Sequence, residues 1–385
     1  MTMYDVIILG TGGVGSAAAF RLARRGVKVL GLDRFPGGHD RGSSHGETRV
    51  IRQAYFEHPD YVPLLLRAYV LWRELEGLSG EDLLHQVGLL QVGPPEGYVV
   101  RGVLESARRH GLVVDELTAD EVQQRFPGFH VPDGSVGVFE PAAGYLKVER
   151  CVLAHLATAT KYGAEFRFGS AVRAWQQEKE NVIVETEDGE SFGAAKLVVT
   201  AGPWAPQLMA DLNMRLSVRR KHLYWFPTAD QDYHEDRGCP TYLYELPHGV
   251  FYGFPRIDDL GVKAAEHSGG TVVSDPLNDP RELDSADLAR VEEFLASNLP
   301  GVRRPVGLRS VCFYTMSPDE HFIVDRSPCD PNILFAAGLS GHGFKFTSVL
   351  GEALADLAMY GQTELPIGFL SLARFQSPRL LTPDS

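Results

Sequence analysis

Hydrophobic runs near the N-terminus alternate with a helix-forming segment in an informative order. The apolar run at residues 4–9 predicts a buried strand. The Ala-rich segment 16–25 predicts a helix, which Gly26 ends, and residues 27–32 predict a second strand. Asp33 follows directly. The chain therefore begins with a predicted strand–helix–strand unit that has an acidic residue at the end of its second strand.

The turn between the first strand and the helix has the spacing GxGxxG, in Gly10-Thr11-Gly12-Gly13-Val14-Gly15. Glycines at these positions let the backbone turn sharply and approach a pyrophosphate closely. The start of the helix offers free N–H groups to that anion. Asp33 can accept hydrogen bonds from ribose hydroxyls. The sequence thus predicts a dinucleotide site, and at this point the cofactor could be NAD or FAD.

Later segments continue the pattern at wide intervals. Predicted strands cover residues 165–168, 182–186, 196–200 and 332–338, with antiparallel strands within 224–252, and predicted helices cover 61–75, 115–126, 146–162, 285–298 and a segment through 359. Strands from the beginning, middle and end of the chain would form one cofactor sheet, with glycine turns after several of them. That arrangement favours FAD, whose long body needs several strand ends.

We therefore predict an α/β protein with a discontinuous Rossmann-like FAD-binding domain and a substrate domain built on an antiparallel sheet. The expected boundaries are 1–85, 147–216 and 320–385 for the first domain, and 86–146 and 217–319 for the second.

Composition narrows the range of partners. The chain has 385 residues and a formal net charge of -13, which disfavours nucleic acid or an anionic membrane as a partner. No run of about 18 apolar residues predicts a membrane span. The four cysteines are widely spread, without metal-type spacing or a disulfide framework, so we expect no metal and a cytoplasmic location.

Three polar segments are candidates for chemistry. Arg49 and Arg52 are three residues apart and would share a face on a helical turn, where one could contact the cofactor and the other a carboxylate. Lys345 follows a glycine-rich connection and lies at a predicted helix start, where its charge opposes the helix dipole, so we expect it to bind an anion. Cys312 taken alone is more typical of a small core residue.

With these segments the chain resembles the monomeric sarcosine oxidase and N-methyltryptophan oxidase family of flavoproteins. The likeness is carried by GTGGVG from Gly10, SHGETRVIRQAY from Ser44, YGFP from Tyr252, GVK from Gly261, CFYTMSPDEHFIVD from Cys312 and GLSGHGFKF from Gly338. It implies oxidation of a secondary amine, with oxygen as the acceptor, imine and hydrogen peroxide as products, and a monomeric enzyme.

The resemblance also implies roles for individual residues. Cys312 matches the cysteine that bonds covalently to the flavin, and Arg52 and Lys345 match the pair that holds the substrate carboxylate, with Tyr55 beside them. Lys263 matches the lysine that activates oxygen. The expected pocket residues near the amine are His267, Tyr252 and Tyr314, and Arg49 and His45 are expected beside the isoalloxazine ring. The expected cofactor contacts are Gly10, Gly12, Gly13, Val14, Gly15, Asp33, Arg34, Ser43, Ser44, Thr48, Arg49, Val172, Gly202, Trp204, Cys312, Gly341, Gly343, Phe344 and Lys345.

Substrate choice stays open at this stage. Leu243 and Tyr244 stand where side chains that line the substrate pocket are expected. The substrate could be sarcosine or another secondary amine, such as N-methyltryptophan, pipecolate or a proline-like compound. A flavin dehydrogenase with another acceptor, a flavin-binding protein without activity, and an NAD dehydrogenase are the alternatives.

Overall fold

Two large sheets hold most of the strands of this chain. The structure is a computed structural model that describes residues 2–212, 214–302 and 305–375. Its strands are β1 (Thr2–Leu9), β2 (Val29–Asp33), β3 (Thr48–Ile51), β4 (Leu84–His85), β5 (Leu89–Gly93), β6 (Asp115–Leu117), β7 (Val136–Glu140), β8 (Gly144–Lys147), β9 (Glu165–Phe168), β10 (Val172–Glu178), β11 (Asn181–Thr186), β12 (Ser191–Val199), β13 (Ser217–Phe226), β14 (Thr241–Leu246), β15 (Gly249–Phe254), β16 (Val262–Glu266), β17 (Thr271–Val273), β18 (Leu308–Met316), β19 (Ile323–Arg326) and β20 (Ile333–Ala337). Its α-helices are α1 (Gly13–Arg24), α2 (Val62–Ser79), α3 (Tyr98–His110), α4 (Ala119–Arg125), α5 (Val148–Lys161), α6 (Ala205–Leu208), α7 (Ser285–Asn298) and α8 (Thr347–Tyr360).

The first sheet has a parallel centre in the order β9-β2-β1-β12-β20. The first half of β12 also pairs with β11, and its second half pairs with β20, so one strand joins an antiparallel hairpin to the parallel centre. Helix α1 packs against α5 and α8 beside this sheet. Buried apolar side chains such as Ile8, Phe20 and Leu350 belong to the core between these layers.

The second sheet is mainly antiparallel, in the order β17-β13-β16-β15-β14-β5-β7-β6, with β18 on the other side of β13. Side chains alternate between its two faces, as the pleat requires. Tyr224 and Tyr242 pack on one face with Phe294 of α7. Trp225 and Tyr252 belong to the core of the opposite face.

The predicted fold class is confirmed: a mixed α/β chain with a discontinuous parallel sheet and a separate antiparallel sheet. Two local predictions were wrong. Arg49 does not lie on a helical turn, because residues 48–51 form strand β3, paired antiparallel with β8. Residues 115–117 are a strand rather than the start of a helix, and α4 begins after Thr118, which caps it. Helix α3 was not predicted.

Among the described residues, no helix is both long and apolar enough to cross a membrane. The same part of the chain holds no cluster of three or more metal-ligating side chains. Its cysteines are all free thiols; Cys329 is exposed, and Cys151, Cys239 and Cys312 are buried.

Candidate active site

A cavity of about 560 Å³ lies where the carboxyl ends of the parallel strands meet the antiparallel sheet. Its walls include Leu9 at the end of β1, Asp33 at the end of β2 and Ala337 at the end of β20. Leu243 of β14 and Tyr314 of β18 come from the second sheet. The position agrees with the rule that ligands of open α/β sheets bind at the carboxyl ends of the strands.

The glycine turn after β1 forms one end of this cavity. Gly10 has φ +87°, and a Cβ there would lie 2.6 Å from the carbonyl oxygen of Thr200. A Cβ on Gly15 would lie 1.9 Å from the carbonyl oxygen of Gly10, so helix and strand can pack this closely only without a side chain. Helix α1 begins at Gly13, and its N-cap, Gly12, provides no side-chain cap. The first-turn N–H groups are thus arranged for an anion.

Asp33 is buried at the end of β2 and lines the cavity. One carboxylate oxygen accepts from Thr11 N and Oγ1 at 2.7 and 3.0 Å, and the other accepts from Phe35 N at 2.9 Å. These bonds fix the carboxylate beside the glycine turn. The neighbouring Arg34 donates to Glu187 at 2.5 Å, and both side chains also line the cavity.

Three buried polar atoms in the cavity wall have no hydrogen-bond partner among the described residues: Trp204 Nε1, Thr315 Oγ1 and Thr347 Oγ1. Buried polar groups are normally hydrogen-bonded. These atoms lie in the same cavity wall as the glycine turn, where a polar ligand would supply their missing hydrogen bonds. Together with the glycine turn and Asp33, these atoms fit a dinucleotide cofactor.

The other end of the cavity holds buried charges. Arg52 is 3% exposed and donates through Nη2 to both carboxylate oxygens of Glu57, at 2.7 and 2.6 Å. Lys345 is buried nearby, and its Nζ donates to the carbonyl oxygen of His342 at 2.8 Å. The ring of Tyr55 is close to both cations, with its centroid 4.1 Å from Arg52 Cζ and 5.3 Å from Lys345 Nζ.

Burial and neighbouring charges set the protonation of this group. Burial lowers the pKa of Lys345 to about 7, and Arg52 contributes to the shift. Burial alone would raise the pKa of Glu57, but Arg52, His342 and Lys345 outweigh it and hold this pKa at about 2. Burial raises the pKa of Glu140 to about 7 even though its carboxylate accepts from the backbone N–H groups that follow Arg52.

A second basic group lies around the segment that precedes β3. Lys263, 2% exposed, donates to the carbonyl oxygens of Gly46 and Thr48 at 2.5 and 2.9 Å and to Thr48 Oγ1 at 3.1 Å. Burial lowers the pKa of Lys263 well below its ordinary value. Three oxygen acceptors match the three protons of an ammonium, so the geometry is that of the charged form. Arg49 donates to the carbonyl oxygens of Thr48 and Ser43. Burial lowers the pKa of His45 to about 3, and the positive charge of Arg49 is the second cause of this shift.

Aromatic side chains from the second sheet complete the charged end. Burial lowers the pKa of His267 to about 3, so its imidazole is neutral, and Nδ1 lies 3.4 Å from the hydroxyl of Tyr314. Tyr252 packs edge-to-face on His267 with ring centroids 6.1 Å apart. Leu243 lines the cavity as expected. Tyr244 does not, because the pleat turns it to the opposite face, where it donates to the carbonyl oxygen of His130.

The structure brings most of the predicted site residues to one cavity. Those that line it are Gly10, Gly12, Gly13, Val14, Asp33, Arg34, Ser43, Ser44, Arg49, Arg52, Val172, Gly202, Trp204, Tyr252, His267, Tyr314, Gly341, Gly343, Phe344 and Lys345. Those that do not belong to the lining are Gly15, His45, Thr48, Tyr55, Lys263 and Cys312. Cys312 is 1% exposed on β18, directly before two lining residues, Phe313 and Tyr314.

Sequence reasoning missed several residues of this cavity. Glu57, His342, Thr315 and Thr347 all belong to its lining. His342 was visible inside the glycine-rich segment from Gly338, and its position among three glycines was the available signal. Glu57 gave no signal, because one acid in a polar loop looks like a solvated residue.

Comparisons with known proteins agree with this geometry. The profile of a family described as "FAD dependent oxidoreductase" matches residues 5–357. The chain is 40% identical to the monomeric sarcosine oxidase of Streptomyces avermitilis over 96% of its own length and 97% of the relative. It is 39% identical to the N-methyl-L-tryptophan oxidase of Yersinia pestis (strain Pestoides F), over 97% of its own length and the whole of that protein.

A solved structure has the same architecture. NikD, described as an unusual amino acid oxidase essential for nikkomycin biosynthesis, superposes with a TM-score of 0.84 at 25% identity. The match covers 96% of this chain and 98% of NikD. The resemblance noted from the sequence motifs is therefore confirmed over nearly the whole chain.

Proposed function

The chain belongs to the FAD dependent oxidoreductase family, and from this we propose that it oxidises a secondary, N-methyl amino acid such as sarcosine with oxygen. The products would be an imine, which water hydrolyses to amine and aldehyde, and hydrogen peroxide. The names of the relatives, sarcosine oxidase and N-methyl-L-tryptophan oxidase, support this substrate class.

One observation carries the proposal: two buried cations, Arg52 and Lys345, line the same cavity as the glycine turn. Buried charges are costly unless they are paired. Glu57 is the one acid hydrogen-bonded to Arg52 in the described structure, and Lys345 donates only to a backbone carbonyl there. The pair is suited to the carboxylate of an amino acid.

FAD, when bound, supplies the acceptor for the two electrons that leave the substrate. The residues that would hold it are the N–H groups at the start of α1, Asp33, and the unpaired polar atoms of Trp204, Thr315 and Thr347. The second sheet then supplies the substrate side of the cavity. Arg52 and Lys345 would fix the carboxylate, which limits the positions open to the amine nitrogen and its methyl group.

The amine end would meet a neutral surface. His267 is uncharged because burial lowers its pKa to about 3, so its imidazole does not repel an incoming amine. The hydroxyl of Tyr314 holds one nitrogen of this ring, and Tyr252 packs on the ring from the side. Leu243 closes the wall with an apolar contact. These residues would orient the substrate and exclude water.

Lys263 would serve the oxygen half of the reaction. Its ammonium is held by three oxygen acceptors and contributes a fixed positive charge inside the protein. Reduction of oxygen creates an anion first. A cation about 4 Å from that anion stabilises it by roughly 4 kcal/mol at an effective dielectric near 20, which corresponds to about a thousandfold in rate.

We also propose that Cys312 bonds covalently to the flavin, as its match to the family's cysteine implies. Its buried position on β18, two residues before the lining residue Tyr314 and on the same face of the strand, supports this. Acid-precipitated protein should keep its yellow colour, and Cys312→Ala should release that colour into the supernatant. Complete release from the wild-type protein would contradict the linkage.

The remaining parts of the proposal concern organisation. We propose a cytoplasmic monomer in which 1–85, 147–216 and 320–385 form the FAD-binding domain, and 86–146 and 217–319 form the substrate domain. The membership of strands in the two sheets supports this division, since β5, β6, β7 and β13 to β18 all belong to the second sheet.

A panel of amines tests the function. Purified protein is mixed anaerobically with sarcosine, N-methyltryptophan, proline, pipecolate and glycine, and flavin bleaching is followed; peroxide is then measured in air. We expect rapid bleaching and peroxide with an N-methyl amino acid, and neither with its methyl ester, which lacks the carboxylate charge. Bleaching without peroxide would indicate a dehydrogenase, and no bleaching with any amine would contradict an amine oxidase.

A further inference from the structure

His342 lines the cavity, and both of its ring nitrogens are engaged by the protein. Nε2 lies 3.0 Å from the carbonyl oxygen of Glu320. A carbonyl can only accept, so Nε2 carries the proton and Nδ1 is left with its lone pair. The hydroxyl of Tyr55 therefore donates to Nδ1, at 2.5 Å. Burial lowers the pKa of His342 to about 4, which agrees with a neutral imidazole.

The aromatic ring of Tyr55 is close to two positively charged side chains. Its ring is fully buried, with Arg52 Cζ at 4.1 Å and Lys345 Nζ at 5.3 Å from the centroid. A cation within about 6 Å of an aromatic face is attracted by the ring's quadrupole. A phenol that donates its proton to an imidazole becomes richer in electrons, which strengthens this attraction. The edge of Phe346 packs on the ring at 5.2 Å.

The two cations repel each other, as the contribution of Arg52 to the lowered pKa of Lys345 indicates. The Tyr55 ring is the surface that both of them share. Its backbone carbonyl accepts from Ser106 Oγ at 2.6 Å, so the main chain is held as well. The hydroxyl bond to His342 fixes the remaining end of the side chain. No part of Tyr55 that could shift the cations is left free.

We propose that His342 is a positioning residue: it fixes Tyr55 and thereby sets the spacing of Arg52 and Lys345 for a carboxylate. This inference rests on the proposed function. His342 does not act on the amine proton, because neither ring nitrogen is available to it. The carbonyl of Glu320 and the phenol of Tyr55 hold the imidazole from both sides.

Two substitutions of His342 distinguish the roles of its two ring nitrogens. Asparagine places its amide near Nδ1, where its oxygen can still accept from Tyr55; glutamine places its amide near Nε2 and leaves Tyr55 without a partner. We expect His342→Gln and Tyr55→Phe to raise the Kd of a simple carboxylate inhibitor such as propionate by about 3- to 10-fold, the range for one lost neutral hydrogen bond. His342→Asn should stay within about twofold of wild type by the same argument.

The double variant tests whether the two residues act together. If His342 works through Tyr55, His342→Gln combined with Tyr55→Phe should be no weaker than either single variant. The KM of the N-methyl amino acid should rise in parallel with the inhibitor Kd. The limiting rate of anaerobic flavin reduction should stay within about twofold, since the carboxylate contact is made before and during the reaction alike.

The chain offers a matched control. Tyr61 and His321 form another phenol–imidazole contact, at 3.3 Å, and neither side chain lines the cavity. His321→Gln should leave inhibitor binding unchanged. An equal loss in His321→Gln, additive losses in the double variant, or a slowed limiting rate with normal inhibitor binding would each overturn the proposal.

Inhibitor binding is read from the flavin absorbance and needs no turnover. If no N-methyl amino acid bleaches the wild-type flavin, the proposed function fails. The inhibitor titrations still decide whether His342 and Tyr55 build an anion site.

Discussion

The two ends of the cavity are built by different means. At the glycine turn, recognition is built from backbone: helix α1 starts at Gly13 without a side-chain cap, and Gly10 and Gly15 let main chain approach main chain. At the other end it is built from side chains, with Arg52, Glu57 and Lys345 buried together. A backbone site has one geometry, whereas a group of charges can rearrange and titrate.

This difference predicts how each end fails. Damage to the glycine turn should abolish cofactor binding altogether, because the main chain has no alternative position. Damage to the charged end should be graded and selective, affecting one ligand or one half-reaction. Substitutions in each part of the cavity test that contrast.

Gly15→Val should give the largest effect. Its Cβ would lie 1.9 Å from the carbonyl oxygen of Gly10 and 2.5 Å from Thr200 Oγ1, so the turn must move. We expect protein without FAD, measured by the ratio of visible to ultraviolet absorbance. Gly77→Ala is the matched control, since a Cβ there meets nothing within 4 Å, and about 0.5–1 kcal/mol of stabilisation is expected for Gly→Ala in a helix. A Gly15→Val protein that is still yellow would contain FAD, and it would contradict the expectation that damage to the glycine turn abolishes cofactor binding.

Lys263→Met should affect the oxygen half-reaction far more than the amine half-reaction. Reoxidation of the reduced flavin by oxygen should slow by about a thousandfold, following the charge estimate, while anaerobic reduction stays within about tenfold. Stopped-flow measurement of each half-reaction checks this. Lys221 is the matched control, since it is also a buried lysine. It lies on β13 opposite Cys312 of β18, and its Nζ donates to the carbonyl oxygen of Ser268. Lys221→Met should reoxidise within about tenfold of wild type, and equal slowing in both variants would indicate a general effect of buried charge.

Lys345→Met should weaken carboxylate binding. Loss of one charge-assisted hydrogen bond costs about 1.5–3 kcal/mol, or roughly 10- to 150-fold in the Kd of an N-methyl amino acid. Titration of a simple carboxylate inhibitor should show a parallel loss with FAD content unchanged. Normal inhibitor binding in both Lys345→Met and Arg52→Met would place the carboxylate elsewhere.

The pH dependence of inhibitor binding is the smallest effect. Burial lowers the pKa of Lys345 to about 7 in the free protein, so the cation is present below that pH and lost above it. Affinity for propionate should therefore fall as pH rises through 7, by up to about tenfold per unit. In Lys345→Met this pH dependence should vanish. A wild-type affinity that is flat across this range would contradict the shifted pKa.

The sequence predicted the backbone end well. A strand, a glycine turn, a helix and an acid follow each other within 33 residues, and local patterns determine such a unit. Gly10, Gly12, Gly13 and Val14 of the predicted turn line the cavity, and so does Asp33.

The charged end could be predicted only in part. Arg49 was placed on a helical turn because its local spacing allowed it, but pairing with β8, about a hundred residues later, makes that segment a strand. The contact between Tyr55 and His342 spans 287 positions of the chain. Tyr244 was expected in the pocket, yet the register of β14 turns it to the other face. Contacts of this kind follow from tertiary pairing, which a single sequence does not reveal.

The pairing of Arg52 with Glu57 has a consequence for selectivity in salt solutions. Glu57 keeps its negative charge at all but very acidic pH, because its pKa is about 2. It is tethered five residues from Arg52, and such an intramolecular partner acts at a local concentration in the millimolar range or above. Chloride, phosphate or acetate must outcompete that tethered carboxylate before any of them gains the guanidinium. The proposed amino acid substrate would gain contacts with Lys345 and with the residues around its amine in the same exchange. The built-in acid should thus raise the concentration at which chloride, phosphate or a small carboxylate such as acetate competes for Arg52.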